Sequence, residues 1–97
     1  MELDQNMENT QTQLEWEQKA LGKFNFMIER IPLFHREIAK KVTVKKAQLN
    51  AIERGSHVVE ESDIVQAFLS EVPKAFYSLM IRLFNEVGFN YQKFASK

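Results

Sequence analysis

Two histidines, His35 and His57, and a carboxylate pair, Glu60 and Glu61, are the side chains whose types could do acid–base or metal chemistry here. A metal site built from them needs His35, His57 and a carboxylate such as Glu61 to converge. The sequence offers no His-x3-His or Glu-x-x-His spacing, the patterns that put two ligands on one helix face. Two solvated or singly hydrogen-bonded imidazoles are the simpler reading. Glu60 and Glu61 are accounted for by a helix start, where negative charge is favoured. There is no glycine-rich phosphate loop, no nucleophile elbow and no Ser/His/Asp set in a recognisable context. Cysteine is absent, which excludes disulfides, thiolate zinc sites, cysteine-held iron–sulfur clusters and cysteine nucleophiles within the chain. The sequence therefore predicts no enzyme chemistry of its own and no cofactor bound by this chain alone.

Binding chemistry has more to work with. Arg36, Lys40, Lys41, Lys45 and Lys46 form a basic run opposed only by Glu37. Arg36 and Lys40 stand one helical turn apart, as do Lys41 and Lys45. Such a stripe can contact phosphates or the acidic surface of a partner protein, although a solvated helix face is its default role. Aromatics are not interleaved with these charges, which disfavours stacking on single-stranded nucleic acid. Phe24, Met27, Phe76, Met80 and Phe84 fall on inward stripes and are assigned to core packing. Trp16 and the tail residues Phe89, Tyr91 and Phe94 have no such stripe, so they either pack back or await a partner. The candidate partner-binding residues are Arg36, Lys40, Phe89, Tyr91 and Phe94.

These residues must be positioned by helices. Ninety-seven residues with 44% hydrophobic content suit one domain with a modest core. Only three Gly and two Pro break the chain, which favours long helices over short strands. A first helix is expected from Leu14, with Ala20, Phe24, Met27, Ile28 and Ile31 recurring at helical steps as its buried face. Pro32 opens a second helix running to about Arg54, and Gly55 closes it with a left-handed residue. Its apolar stripe of Phe34, Ile38, Val42, Leu49 and Ile52 is read as core-facing, with Ala39, Ala47 and Ala51 beside it. Lys45 interrupts that stripe, so either its stem snorkels or that turn lies at the core's edge. A third helix starts at the acidic Glu60–Asp63 and buries Ile64, Ala67 and Phe68. Pro73 ends it. A fourth carries Phe76, Leu79, Met80, Leu83, Phe84 and Val87 and stops at Gly88.

Residues 1–12 are polar, without an apolar period, and are expected to be a disordered acidic segment ahead of a helical domain at 13–97. The zero net charge hides an asymmetry. Residues 1–18 carry five carboxylates and no Lys or Arg, which leaves the rest at +5. No run is long enough to span a bilayer, and the chain is expected to be soluble and cytoplasmic.

Two resemblances bear on function. Ile31-Pro32-Leu33-Phe34-His35-Arg36, the charged helix ending at Arg54-Gly55 and the Val59–Ala67 helix start are similar to the small helical domain at the C-terminus of the light-independent protochlorophyllide reductase B subunit. The likeness covers roughly residues 28–70. Trp16 stands further from Ile31-Pro32 than that family's tryptophan does from its own Ile-Pro, and the fourth helix and aromatic tail extend beyond the match. The resemblance implies an accessory or capping module on a larger protein, with any tetrapyrrole or cluster held by the partner complex rather than by this chain. Separately, Val59 to Ala67 following a long helix is similar to the last loop and helix of histone-fold proteins, which implies a DNA-binding dimer. Glu60 stands where that family usually has Thr. The fold expected is an all-α bundle of about four helices with a histone-like long second helix. The expected partner is a larger protein, with nucleic acid the second choice, no membrane, and a homodimer left open.

Overall fold

The computed structural model describes residues 14–95, and side chains through residue 93. The expected disorder of residues 1–12 lies outside the described residues. In chain order the elements are β1 (Glu15–Trp16), α1 (Gln18–Glu29), α2 (Leu33–Glu53), β2 (Val58–Val59), α3 (Glu61–Glu71), a 3-10 turn (Lys74–Phe76), α4 (Tyr77–Val87) and α5 (Tyr91–Ala95). The chain is all-α in character, with α2 the longest helix at 21 residues.

Each helix begins and ends for a local reason. Glu17 caps α1 by accepting the Ala20 N–H at 2.8 Å. Its buried positions, Ala20, Phe24, Met27 and Ile28, follow the 3.6-residue repeat. The α1 helix ends where Pro32 supplies no N–H and takes an extended ψ of 141°. The carbonyls left over are met by Arg36, one turn into α2. Its guanidinium donates to Glu29 O at 2.8 Å and to Ile31 O at 3.1 and 3.2 Å. Gly55, at φ 78°, closes α2 in the left-handed region. The Gly55 and Ser56 N–H groups then turn back to Ile52 O and Ala51 O, both at 2.9 Å.

A feature absent from the helical reading is the two-residue parallel bridge of β1 with β2, pairing Glu15 with Val58 and Trp16 with Val59. The Glu17 N–H donates to Val59 O at 2.9 Å, so the bridge fixes the start of α1 beside the start of α3. The expected helix from Leu14 thus yields to this extended pairing until Gln18.

The core is an aromatic spine crossing the layers. Trp16 lies 5.3 Å from Phe24, Phe24 5.7 Å from Phe68, and Phe68 6.0 Å from Phe84, measured between ring centroids. Phe84 in turn meets Phe89 at 6.1 Å and stacks on Tyr91 at 5.6 Å. Tilted and offset pairs at such separations are favourable beyond the area they bury. Met27, Ile64, Val65, Met80 and Leu83 fill the space around the spine.

What α2 gives to this core is small. Its buried positions are Thr43, Ala47, Gln48 and Ala51, with Ala39 and Val44 partly covered. Short side chains let α2 lie close to α3, its most extensive neighbour. The expected core stripe of α2 is therefore corrected. Phe34 is 95% exposed and Ile38 68%, Leu49 and Ile52 are also exposed, and only Val42 is half-buried. The alanines beside that stripe, not the stripe itself, face inward.

Candidate interaction surface

The outer face of α2 carries large apolar side chains that are left exposed among the described residues. Leu33 at 73% exposure and Phe34 open the helix, Ile38 follows one turn on, and Leu49 and Ile52 continue the row toward Gly55. Lys41 and Lys45, both exposed, occupy the same side midway along. Steps of three, four and seven residues bring Phe34, Ile38, Lys41, Lys45, Leu49 and Ile52 to one side of a 3.6-residue helix, while Leu33 is turned about 100° from Phe34 at the helix start. Scattered exposed apolar residues are ordinary on proteins. A row of them on one helix face, with a phenylalanine almost wholly in solvent, is not.

The row opens onto a groove of about 240 Å³ between the first half of α2 and the Val72–Met80 segment. Its walls include His35, Ile38, Val42, Pro73, Phe76 and Leu79. Most of that lining is hydrocarbon, with His35 and Glu71 as its polar members. The His35 ring lies 5.3 Å from Phe76. Pro73 separates α3 from α4, and the 3-10 turn that follows brings Phe76 to the groove wall facing α2.

The Ile31–Arg36 motif divides between structure and surface. Ile31 is buried, Pro32 ends α1, and Arg36 caps the α1 carbonyls. Leu33 and Phe34 have no structural role of that kind. Sequence reasoning placed Arg36 on a free basic stripe; its guanidinium is instead engaged with Glu29 O and Ile31 O. Lys40 is exposed as expected.

The tail is also corrected. Phe89 is buried, its backbone N–H donating to Phe84 O at 2.9 Å and its ring lying 5.4 Å from Lys23 Nζ. Tyr91 is half-buried on Phe84, and the Asn90 N–H is held by Glu61 Oε2 at 2.8 Å. Both rings finish the core rather than stand free. Phe94 falls in α5, and its side chain lies outside the described residues. The expected set of Arg36, Lys40, Phe89, Tyr91 and Phe94 is thus not one surface. Trp16, another candidate for exposure, is half-buried against Phe24.

One electrostatic site was missed. Asp63, 2% exposed at the start of α3, receives Arg54 in a two-point grip, with Nε to Oδ1 at 2.8 Å and Nη2 to Oδ2 at 2.6 Å. The Glu60 N–H donates to Asp63 Oδ2 at 2.8 Å, and Asn50 Nδ2 to Asp63 O at 3.0 Å. The hydrogen bond to Asp63 raises the Arg54 pKa, outweighing the lowering by burial. Arg54 also reaches Val58 O at 3.3 Å, tying β2 to the same knot. The sequence signal is an Arg at a helix end nine residues before an Asp in the first turn of the next helix.

His35 sits at the start of α2 and His57 beyond its end, so about 30 Å of helix separates them. Among the described residues, no group of three His, Cys, Asp or Glu side chains could hold a metal ion. No helix among them is long and apolar enough to cross a membrane. Comparisons with protein-family models, with curated proteins and with solved structures return no match to this chain.

Proposed function

We propose that the chain is a non-catalytic interaction module that docks on a larger protein through the outer face of α2. The observation that carries this reading is Phe34. It stands at 95% exposure inside the Ile31–Arg36 motif, of which Ile31, Pro32 and Arg36 are taken up by the helix junction. Leaving a phenylalanine in water forfeits roughly 2 kcal/mol of burial. A partner that covers Phe34 and Ile38 recovers that energy in an aromatic and aliphatic part of the interface.

The resemblance of residues 28–70 to the reductase domain makes a subunit of a tetrapyrrole-handling complex the favoured partner, with the tetrapyrrole held by that complex. The aromatic and methionine content gives no support to a cofactor pocket in this chain, because Phe24, Met27, Phe68, Met80 and Phe84 are packed on one another.

Affinity capture from the source cell with the wild type and with Phe34→Ser/Ile38→Ser tests the reading. The double variant is expected to melt like the wild type and to lose one stoichiometric protein. A variant that captures the same proteins equally well overturns the assignment of this face. Duplex-DNA binding by the wild type that weakens steeply with salt would instead support the histone-like reading, since phosphate neutralisation releases counterions.

A further inference from the structure

We infer that the occupant of the α2 face is an amphipathic helix with acidic residues at the middle of its apolar seam, and not a second copy of this chain. This rests on the docking reading above and names the partner's chemistry.

The exposed row has two apolar ends and a basic centre. Phe34 and Ile38 lie at one end, Leu49 and Ile52 at the other, and Lys41 and Lys45 between them. Phe34 to Ile52 spans about 27 Å at 1.5 Å per residue, the length of about five helical turns. A straight, continuous helix face of that length is matched by another helix laid along it, with side chains seated between side chains. The groove beside Ile38 and Val42, about 240 Å³ and mostly hydrocarbon, gives one large apolar side chain of the partner a seat.

Charge decides between occupants. Two copies packed antiparallel about the midpoint of α2 would set Phe34 against Ile52, which is favourable. The same register sets Lys41 against Lys45 twice, placing four ammonium groups in the seam. Parallel packing stacks Lys41 on Lys41 and Lys45 on Lys45 with the same result. Glu37 lies one turn before Lys41 and offsets at most that one charge, and Glu53 lies at the end of α2; in neither register does a carboxylate of one copy face Lys41 or Lys45 of the other. Like charges brought together as water is excluded repel strongly. A partner with Asp or Glu at mid-seam removes the repulsion and supplies an attraction, while its two apolar ends meet the ends of the row. Lys40 and Lys46, both further from the seam, add positive potential that steers such a partner inward.

Two measurements on the full chain test the inference. Sedimentation equilibrium at high micromolar concentration should give a monomer. A dimer that dissociates on Phe34→Ser overturns the acidic-helix occupant while leaving the docking face in place. Then two synthetic helices of about 21 residues are titrated by fluorescence anisotropy. Both carry Leu at the two ends of the seam, one has Glu at its two central seam positions, and the other has Lys there. The Glu helix should bind at least about tenfold tighter than the Lys helix, and Lys41→Glu/Lys45→Glu should invert that preference. Equal binding of the two helices, binding of neither, or binding of the Glu helix unchanged by Phe34→Ser/Ile38→Ser each overturns the inference. Capture of a partner protein is a separate readout, so failure here does not imply failure of the docking reading.

Discussion

Arg54 holds Asp63 across the turn that joins the longest helix to α3, with the guanidinium and carboxylate paired at 2.8 and 2.6 Å. Asp63 is almost fully buried, while the Arg54 side chain keeps 40% of its surface in solvent. The pair therefore gains from low dielectric on one side and avoids full desolvation on the other. Together with Asn50 and the Glu60 N–H, it locks the end of α2 to the start of α3. That lock fixes which side of α2 faces outward.

Removing the carboxylate should expose the importance of the lock. Asp63→Ala is expected to lower stability by about 2–4 kcal/mol, because the Glu60 N–H and the guanidinium lose a charged acceptor. Arg54→Gln should cost less, since Arg54 is partly solvated. Urea melts of the two variants check the order. Equal losses under about 0.5 kcal/mol would mean that the pair contributes nothing beyond surface contacts.

The pH behaviour of this pair has a definite sign. Hydrogen bonding to Asp63 raises the Arg54 pKa above its ordinary value. A raised folded-state pKa contributes stability that is complete below the unfolded value and is lost only as pH climbs past it. The stability difference between wild type and Arg54→Gln should thus hold steady from neutral into mildly alkaline solution. A gap that closes over that range would contradict the assignment.

Two apolar truncations separate the core from the docking face. Leu83, 3% exposed, should cost about 2–5 kcal/mol as Leu83→Ala, through lost transfer energy and the cavity left behind. Phe34→Ala should change stability by less than about 0.5 kcal/mol, as surface substitutions do. Denaturant midpoints for the two proteins decide the matter. A large loss at Phe34 would return that ring to the core.

Thr43 offers a gain. Its hydroxyl is buried in the α2 face against the core and has no hydrogen-bond partner among the described residues. Thr43→Val keeps the shape and removes an unsatisfied polar atom, and should raise stability by about 1 kcal/mol. A destabilised valine variant would show that the hydroxyl is satisfied in solution.

Much of the bundle was legible from the sequence. The stops at Pro32, Gly55, Pro73 and Gly88 act through backbone geometry that few other residues can replace, so they read directly. The inward faces of α1, α3 and α4 were also legible, since each helix has a single apolar stripe. The α2 helix has two candidate stripes, one of large side chains and one of alanines. Periodicity cannot choose between them, and side-chain size pointed to the wrong one. Close approach to α3 required the alanines. Lys45 in the middle of the large stripe was the local sign that the stripe faces out. The tail failed for a different reason. Phe89 and Tyr91 sit beyond any helical period; both pack on Phe84 of the preceding helix, and the distant Glu61 holds the Asn90 N–H between them. The two-residue β1–β2 bridge is likewise non-local and too short to leave an alternating pattern.

The central claim is that the outer face of α2 is covered by a partner in the cell. A photo-crosslinking residue placed at Phe34 tests it most directly, with the same residue at Ser78, an exposed position on α4, as the control. Irradiation of living cells should give one discrete adduct from position 34 and none of that mass from position 78. No adduct from position 34, or the same set of products from both positions, would contradict the claim.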